Sequence, residues 1–215
     1  MTGGNGFIGR SLAKRFHDPI LFEGDLTRIE DACEFISRCD RIYHLAGKNK
    51  GSLGEIIKNN IISTSNLVLA SKIKGVNPEI VFASSTQVVW NSDSEYGFAK
   101  GKEEEIIKKA NKWCIFRIPN VYGPGGRPFY NSVVATFCYQ VSRGEPVTIH
   151  DPSVKREFIF LDDLIEQLIH PEFNLIKSLN GETLTIGEIQ FLLTDGLGRH
   201  AKLEKCLNYY KGLVD

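Results

Sequence analysis

The sequence has no net charge, few cysteines and no long apolar run, and each shortage excludes a class of protein. Its 26 basic and 26 acidic side chains cancel, so no long-range field attracts nucleic acid or an anionic membrane. No uninterrupted apolar run approaches the roughly 18 residues that a membrane span needs. The N-terminus also lacks the basic-then-apolar layout of a secretory signal. We therefore expect a cytoplasmic protein with neither a nucleic-acid partner nor a membrane partner.

The cysteines are five in number, scattered, and without a CxxC pair or a cluster with histidine. This pattern supports neither a disulfide framework nor a metal site, so we expect reduced thiols and no metal. The remaining composition is ordinary for a globular chain, with 42% hydrophobic and 24% charged residues over 215 positions. A chain of this length forms one domain, or one domain with a small lobe.

The N-terminal 16 residues carry the most specific pattern. Three glycines stand at the spacing G-x-x-G-x-x-G, namely Gly3, Gly6 and Gly9, and apolar residues then recur at helical spacing. Glycine lets the backbone turn tightly and approach a ligand, while the N–H groups that start the next helix point at a phosphate. The pattern predicts a pyrophosphate-binding loop, although any tight turn before a helix can carry a glycine triplet.

A loop of this kind should follow a buried central strand, but only Met1 and Thr2 precede the first glycine. The loss of that strand would leave its two neighbours in the sheet without hydrogen-bond partners. Two explanations stay open from the sequence. Either the start of the chain is truncated and the first strand is missing, or another segment fills its place.

Further along the chain, strand-like and helix-like segments alternate, which predicts an α/β fold with a doubly wound parallel sheet. Strands are expected at residues 19–26, 41–47, 78–85 and 113–117, and helices at residues 29–39, 55–75 and 95–112. The charged run at residues 102–109 is expected to be a solvent-exposed helix face. After Gly123, a loop rich in glycine and proline, a helix near residues 131–143 and short strands predict a smaller lobe.

Tyr96 and Lys100 lie four residues apart, and hence on one helix face. The strand before them ends in Ser84-Ser85-Thr86, at the sheet edge where ligands bind. A phenol with a pKa of about 10 is a poor acid or base at neutral pH. A nearby ammonium lowers that pKa, and the Thr86 hydroxyl can hydrogen-bond the same substrate oxygen. The pair alone would be an incidental surface pair, but with the glycine loop and the strand end it predicts a proton-transfer site.

With these residues in place, the sequence resembles the extended short-chain dehydrogenase/reductase superfamily, in its NAD-dependent epimerase/dehydratase group, which modifies nucleotide sugars. Five ordered motifs carry the resemblance across essentially the whole chain. They are residues 2–9, residues 44–47, Asn60 through Leu67, residues 84–86 with Tyr96 and Lys100, and residues 117–125. The resemblance implies a Rossmann-type domain at residues 1–123 and a substrate lobe at residues 124–215, with residues 156–170 returning to the first domain.

The resemblance also implies a role for each matching residue. The catalytic residues would be Thr86, Tyr96 and Lys100, with Tyr96 as proton donor or acceptor. Residues implied to bind NAD or NADP are Gly3, Gly6, Phe7, Ile8, Gly9, Asp25, Leu26, Leu45, Ala46, Gly47, Asn60, Tyr96, Lys100 and Pro119. Residues implied to bind the nucleotide-diphosphate sugar are Thr86, Asn120, Asn131 and Arg156. A guanidinium suits a diphosphate because it binds phosphate oxygens in a bidentate manner.

Two of these assignments stay open. Glu23 would favour NAD, whereas Arg28 would accept the 2′-phosphate of NADP, so the cofactor is not decided between them. Arg156 has two alternative roles: it would bind a diphosphate, or it would form a surface ion pair with Glu157 or Asp162.

One subgroup is similar in residues 129–139 and residues 44–49. It contains capsular-polysaccharide reductases that act on UDP-4-keto-6-deoxy-N-acetylhexosamines and usually carry a C-terminal cupin domain, which this sequence does not contain. Gln87-Val88 follows Thr86 where sugar-nucleotide 4,6-dehydratases have an Asp-Glu pair. The resemblance therefore favours a UDP-sugar substrate and argues against a dehydratase.

The implied chemistry is hydride transfer at C4 of a nucleotide sugar, by a reductase or a 4-epimerase. In a reductase Tyr96 protonates the new alkoxide, and in a 4-epimerase it first removes the hydroxyl proton, so the same residues serve both. The alternative is a catalytically silent or truncated cofactor-binding relative, which the short N-terminus favours. Relatives commonly form homodimers through the helices around Tyr96, so a homodimer is one possibility here, and the sequence does not decide the oligomeric state.

Overall fold

The computed structural model describes residues 1–214, which form two compact units. The first comprises residues 1–118 and 167–179, and the second comprises residues 119–166 and the chain from Asn180 on. The strands are β1 (Arg41–His44), β2 (Glu79–Ser85), β3 (Trp113–Ile118), β4 (Asn120–Tyr122), β5 (Lys155–Phe160), β6 (Leu175–Ser178) and β7 (Glu182–Thr185). The helices are α1 (Phe7–Ala13), α2 (Ile29–Ile36), α3 (Leu53–Ile56), α4 (Ser63–Lys74), α5 (Gln87–Trp90), α6 (Glu95–Ile107), α7 (Val133–Ser142), α8 (Leu161–Ile169), α9 (Ile186–Leu193) and α10 (Ala201–Lys211).

The first unit is built on a four-stranded sheet in the order β1-β2-β3-β6, with every pair parallel. Its central strands are continuous apolar runs, residues 80–82 of β2 and residues 114–116 of β3, and all six residues are fully buried. Such runs are typical of parallel strands that are covered on both faces. Helix α4 contributes to both apolar clusters, Leu67 to the one around α2 and Val68 to the one around β2 and β3. The predicted α/β fold with a parallel sheet is confirmed.

Met1 and Thr2 lie beside β1, where the strand before a glycine loop belongs. The Thr2 N–H donates to the Tyr43 carbonyl at 3.0 Å, and the Leu45 N–H donates to the Thr2 carbonyl at 3.3 Å. Thr2 thereby forms a single parallel bridge with His44, and both Met1 and Thr2 are buried. These two residues make the contact between the glycine loop and the sheet.

The strand predicted at residues 19–26 is wrong. The Phe22 N–H donates to the Met1 carbonyl at 2.8 Å and the Met1 amino group donates to the Ile20 carbonyl at 2.6 Å, but residues 19–26 form no longer ladder. The chain turns instead at Gly24, whose φ of 144° is open to glycine, and the Arg28 N–H closes a turn on the Asp25 carbonyl. The other predicted strands and helices are present, although β1 ends at His44 rather than at residue 47.

The second unit has a three-stranded sheet in the order β4-β5-β7, parallel between β4 and β5 and antiparallel between β5 and β7. Helices α7, α9 and α10 supply most of its apolar core, together with aromatic residues of β4 and β5. The predicted helix near residues 131–143 is therefore present, as α7, and so are short strands. Helix α7 begins at a cap in which Ser132 Oγ accepts the Ala135 N–H at 3.2 Å.

Residues 1–214 contain neither a disulfide nor a cluster of metal-ligating side chains. The five cysteines are free thiols. No group of three or more metal-ligating side chains is found in this range. None of the helices in it combines the length and the apolar character of a membrane span.

Candidate active site

The glycine loop is packed so closely that side chains do not fit at two of its glycines. A β-carbon on Gly3, whose φ is 66°, would lie 2.7 Å from the Ala46 nitrogen. A β-carbon on Gly9 would lie 2.2 Å from the Gly3 carbonyl oxygen. The Gly6 N–H donates to that same oxygen at 3.0 Å and closes the turn before α1. This cradle of bare backbone fits a pyrophosphate, so the residues present are suited to a dinucleotide.

The neighbouring cofactor candidates differ in their surroundings. Phe7 and Ile8 are half-buried in the first turn of α1. Asp25 is exposed, and hydrogen bonds from Thr27 lower the pKa of its carboxyl. Leu26 is buried, and its carbonyl accepts a hydrogen bond from Asn66 at 2.9 Å.

The end of β1, the π-helical turn at Ile57–Ile62 and helix α6 converge at one point. A β-carbon on Gly47 would lie 3.3 Å from Asn60 Oδ1 and 3.4 Å from Lys100 Nζ. Asn60 lies in the π-helical turn and is fully buried. Its side chain accepts the Lys48 N–H at 2.7 Å and donates to the Lys48 carbonyl at 2.9 Å, which fixes the loop after β1. The structure therefore brings these three predicted residues together.

Tyr96 and Lys100 stand on α6, which begins at a cap where Ser94 Oγ accepts the Gly97 N–H at 3.0 Å. The Lys100 Nζ lies 5.9 Å from the centre of the Tyr96 ring, and it donates to the Ala83 carbonyl at 3.1 Å. Thr86 follows β2, and its N–H donates to the carbonyl at the end of β3 at 3.2 Å. All three predicted catalytic residues thus belong to the first unit. The Lys100 amine is close enough to the Tyr96 ring for a cation–π contact.

The expected lowering of the Tyr96 pKa is wrong for this structure. Burial raises the pKa of Tyr96, and the Lys100 ammonium opposes that rise without overcoming it. Burial of the phenol is the largest cause of the rise. The Lys100 ammonium is also paired with another anion, since its Nζ lies 3.2 Å from Glu103 Oε2. The Glu103 carboxylate also acts on Tyr96 directly and raises its pKa further.

Glu103 belongs to a buried chain of hydrogen bonds that the sequence analysis missed. Thr64 Oγ1 donates to Glu103 Oε1 at 2.8 Å, and it lies 2.9 Å from His44 Nε2. His44 Nδ1 in turn lies 2.7 Å from Thr2 Oγ1. The Ala46 N–H donates to Thr2 Oγ1 at 3.3 Å, which ends the chain at the glycine cradle. Polar groups along β1, α4 and α6 therefore connect Lys100 with the loop that precedes α1.

The prediction that residues 102–109 form a solvent-exposed face is wrong for two of its glutamates. Glu103 and Glu104 are 0% and 3% exposed. Helical spacing could have indicated this burial, because both glutamates fall on the face of α6 that carries Lys100 and the buried Ile107. Glu104 accepts from Arg117 and from Ser84, so its burial is compensated by hydrogen bonds.

The second unit holds the other predicted residues. Pro119 is buried directly after β3. Asn120 is exposed and donates to the Glu157 carbonyl at 3.0 Å, and Asn131 is exposed before α7. Arg156 is exposed, with a hydrogen bond from its Nη1 to the Lys155 carbonyl at 2.9 Å. The two carboxylates considered as its ion-pair partners are otherwise engaged, Glu157 with Gly181 and Asp162 with Lys205.

A parallel sheet with a glycine cradle before its first helix, and a helix beside it that carries Tyr96 and the buried Lys100, defines a dinucleotide-binding α/β protein. The chain belongs to the NAD dependent epimerase/dehydratase family, whose model matches residues 1–172. This result confirms the predicted family.

Relatives and solved structures agree with that family. The chain is 34% identical over 178 residues to the UDP-2-acetamido-2,6-beta-L-arabino-hexul-4-ose reductase of Pseudomonas aeruginosa, covering 77% of this chain and 46% of that protein. It is 27% identical over 171 residues to the probable polysaccharide biosynthesis protein EpsC of Bacillus subtilis, covering 73% and 27%. The chain thus spans less than half the length of these two curated relatives.

Two solved structures show the same fold. The capsular polysaccharide assembling protein CapF of Staphylococcus aureus is 26% identical with a TM-score of 0.79, over 100% of this chain and 66% of that one. The UDP-glucose 4-epimerase of Thermotoga maritima is 19% identical with a TM-score of 0.87, over 100% of this chain and 98% of that one. The second likeness concerns the fold alone.

Proposed function

We propose that this chain carries out NAD(P)-dependent hydride transfer at C4 of a nucleotide sugar, as a reductase of a UDP-4-keto sugar. The observation that carries the proposal is the arrangement of Tyr96 and Lys100 one turn apart on α6, with the Lys100 amine close to Gly47 and Asn60. The reductase name of the Pseudomonas aeruginosa relative supports the direction of the reaction.

The cofactor would lie along the glycine cradle, with its pyrophosphate on the backbone of residues 3–9 and its ribose near Lys100 and Asn60. The tight contacts at Gly3 and Gly9 support this placement, because bare backbone is what lets a pyrophosphate approach. When bound, NADH or NADPH supplies the hydride that reduces the sugar carbonyl. Asp25 would lie beside the adenine, and the choice between NAD and NADP is left to the assay below.

Residues of this chain transfer the proton that the reduction of the sugar carbonyl requires. Tyr96 donates its hydroxyl proton to the sugar O4 as the C4 carbonyl becomes an alcohol, and Thr86 hydrogen-bonds the same oxygen. Lys100 holds the ribose and stabilises the phenolate that is left after the proton has gone. In the reverse sense the same groups remove a hydroxyl proton, which is the first step of a 4-epimerase.

The second unit would bind the nucleotide sugar through Asn120, Asn131 and Arg156. Arg156 supports this role because neither Glu157 nor Asp162 engages its guanidinium. A guanidinium that is not committed to a carboxylate suits the two phosphates of UDP.

We propose in addition that the protein is a cytoplasmic homodimer. Its free thiols support a reducing compartment. Exposed apolar residues support a second copy on the helices around Tyr96: Leu69 and Ile73 lie one turn apart on α4, and Phe98 is exposed on α6.

The test is an assay of the purified chain with a UDP-4-keto-6-deoxy-N-acetylhexosamine and either NADH or NADPH. We expect loss of the reduced-nicotinamide absorbance, and a drop in turnover of at least roughly a hundredfold in Tyr96→Phe with cofactor binding retained. Tyr209→Phe, an exposed tyrosine on α10, is the matched control. Near-normal turnover in Tyr96→Phe would end this mechanism. Inversion at C4 without net cofactor consumption would identify a 4-epimerase. Absence of cofactor binding would identify a silent or truncated relative.

A further inference from the structure

Lys100 has a partner that the proposed mechanism does not use. Its ammonium group carries three N–H donors; it donates to the Ala83 carbonyl at 3.1 Å and forms an ion pair with Glu103 Oε2 at 3.2 Å. Both side chains of the Lys100–Glu103 pair are buried, with 4% and 0% of their surface exposed. The ring of Phe82 lies 4.5 Å from Nζ on another side. The amine is thus held by an anion other than Tyr96.

The hydrogen bonds leading to Glu103 have one consistent direction. Thr64 donates to Glu103 Oε1, so it accepts from His44 and the proton lies on Nε2. His44 Nδ1 is then an acceptor for the Thr2 hydroxyl, and Thr2 accepts the Ala46 N–H. Burial lowers the pKa of His44 to about 3, which agrees with a neutral ring. Every donor along this path points towards Glu103, so its carboxylate is the single anion on which the path ends.

Resting on the proposed function, we propose that Glu103 is a positioning residue for Lys100. Its carboxylate holds the amine and balances its charge, so that Tyr96 stays in the protonated form that the reduction of a carbonyl needs. An amine balanced in this way fixes the ribose without drawing the proton from the phenol. Glu103 would therefore suit the chain to a reductase, which begins its cycle with a protonated phenol, more than to an epimerase, which begins with a phenolate.

Among the charged groups that face Lys100, Glu103 has the main influence on its ammonium charge. Glu104, also on α6, gives its charge to Arg117 from β3, through two hydrogen bonds. His44 from β1 is neutral, and the polar residues that the π-helical turn and α4 contribute, Asn60 and Thr64, do not titrate. Removal of the Glu103 charge therefore leaves Tyr96, and more weakly Glu104, as the groups whose negative charge acts on Lys100.

The electrostatics of the buried groups agree with this picture. Burial acts to lower the pKa of Lys100, but Glu103 and then Tyr96 hold it above its ordinary value. Burial raises the pKa of Tyr96, and the Glu103 charge raises it further. Burial also raises the pKa of Glu103, with Lys100 and the Thr64 hydrogen bond opposing the rise.

The test is a titration of the Tyr96 phenolate by ultraviolet absorbance, isolated by subtraction of the same chain carrying Tyr96→Phe. In Glu103→Gln, which keeps the shape of the side chain and its bond from Thr64, we expect the apparent phenol pKa to fall by about one unit or more. Glu105→Gln is the matched control, because Glu105 lies on the same helix, is exposed and pairs with Lys102. An unchanged or higher phenol pKa in Glu103→Gln overturns the proposal. Because the titration needs neither cofactor nor substrate, it decides the point even if the proposed reaction fails.

A pH profile of turnover gives a second readout, which a merely structural role would not move. In Glu103→Gln the alkaline fall of kcat should begin about one pH unit earlier than in the unsubstituted chain. Glu103→Asp should restore the alkaline limb. A kcat that falls equally at every pH, or an aspartate that restores nothing, contradicts positioning through charge and leaves the proposed reaction standing. If the unsubstituted chain turns over no keto sugar, the proposed function fails instead.

Discussion

Arg117 on β3 and Glu104 on α6 are joined by two parallel hydrogen bonds. Arg117 Nε donates to Oε1 at 3.0 Å and Nη2 donates to Oε2 at 2.7 Å. Ser84 Oγ, from the neighbouring strand β2, donates to the same Oε1 at 2.6 Å. A guanidinium fork matches a carboxylate in both distance and angle. This contact ties the helix that carries Tyr96 and Lys100 to the two central strands.

Removal of the guanidinium should therefore cost much more than the loss of a surface ion pair. In Arg117→Met the Glu104 carboxylate, which is 3% exposed in the unsubstituted chain, loses the cation paired with it, and we expect a loss of about 3 kcal/mol in the free energy of unfolding. Arg41→Met is the control, because its pair with Glu79 is more exposed and should contribute about 0.5 kcal/mol. Urea denaturation of both variants measures the difference, and equal losses would contradict a structural role for the Arg117–Glu104 contact.

The glycine cradle should not tolerate a methyl group at Gly9. Because a β-carbon there meets the Gly3 carbonyl oxygen at 2.2 Å, the loop must open, and we expect Gly9→Ala to cost about 2 kcal/mol. Excess NAD or NADPH should raise the melting temperature of the unsubstituted chain through mass action and leave that of Gly9→Ala unchanged. Gly54→Ala is the control, since nothing lies within 4 Å of its β-carbon position. A Gly9→Ala protein with a full cofactor-induced shift would contradict the assigned pyrophosphate site.

His44 should make the folded state sensitive to acid. Burial lowers its pKa from 6.5 to about 3, so between these values the unfolded chain binds a proton that the folded chain does not. Stability then rises with pH through this window, by at most about 1.4 kcal/mol for each pH unit. His44→Asn should flatten the dependence of the urea midpoint on pH between about 4 and 6.5 relative to the unsubstituted chain. His17→Asn is the control, and parallel profiles for all three proteins would show that His44 is not the source.

The features that local spacing determines could be predicted from the sequence. The glycine triplet fixes a turn within a few residues, and Tyr96 and Lys100 share a helix face by their separation alone. The alternation of strands and helices along the chain likewise predicted the parallel sheet. The strand expected at residues 19–26 did not form, because strand pairing depends on a partner that is distant in the sequence and that local spacing does not reveal.

The burial of charged side chains is the second feature that could not be predicted from the sequence. Glu103 and Glu104 stand in a highly charged run, which ordinarily marks a solvated face, and only the packing of α6 against the sheet decides that they are buried. Thr2, Thr64 and His44 are far apart in the sequence and meet only in the folded chain. A search of α6 at helical spacing, outward from Lys100, would have singled out both glutamates.

The exposed apolar residues of α4 should prove to be a contact between two copies of the chain. Leu69 and Ile73 are 48% and 58% exposed and one helical turn apart, an arrangement that favours a partner surface over water. We expect the unsubstituted protein to sediment as a dimer and Leu69→Glu as a monomer, because a buried carboxylate without a partner disfavours association. Leu213→Glu, an equally exposed leucine near the C-terminal end of α10, is the control and should remain a dimer. An unchanged circular dichroism spectrum must accompany the monomer, since an unfolded Leu69→Glu would also fail to associate. A dimer that persists in folded Leu69→Glu would place the contact elsewhere on the chain.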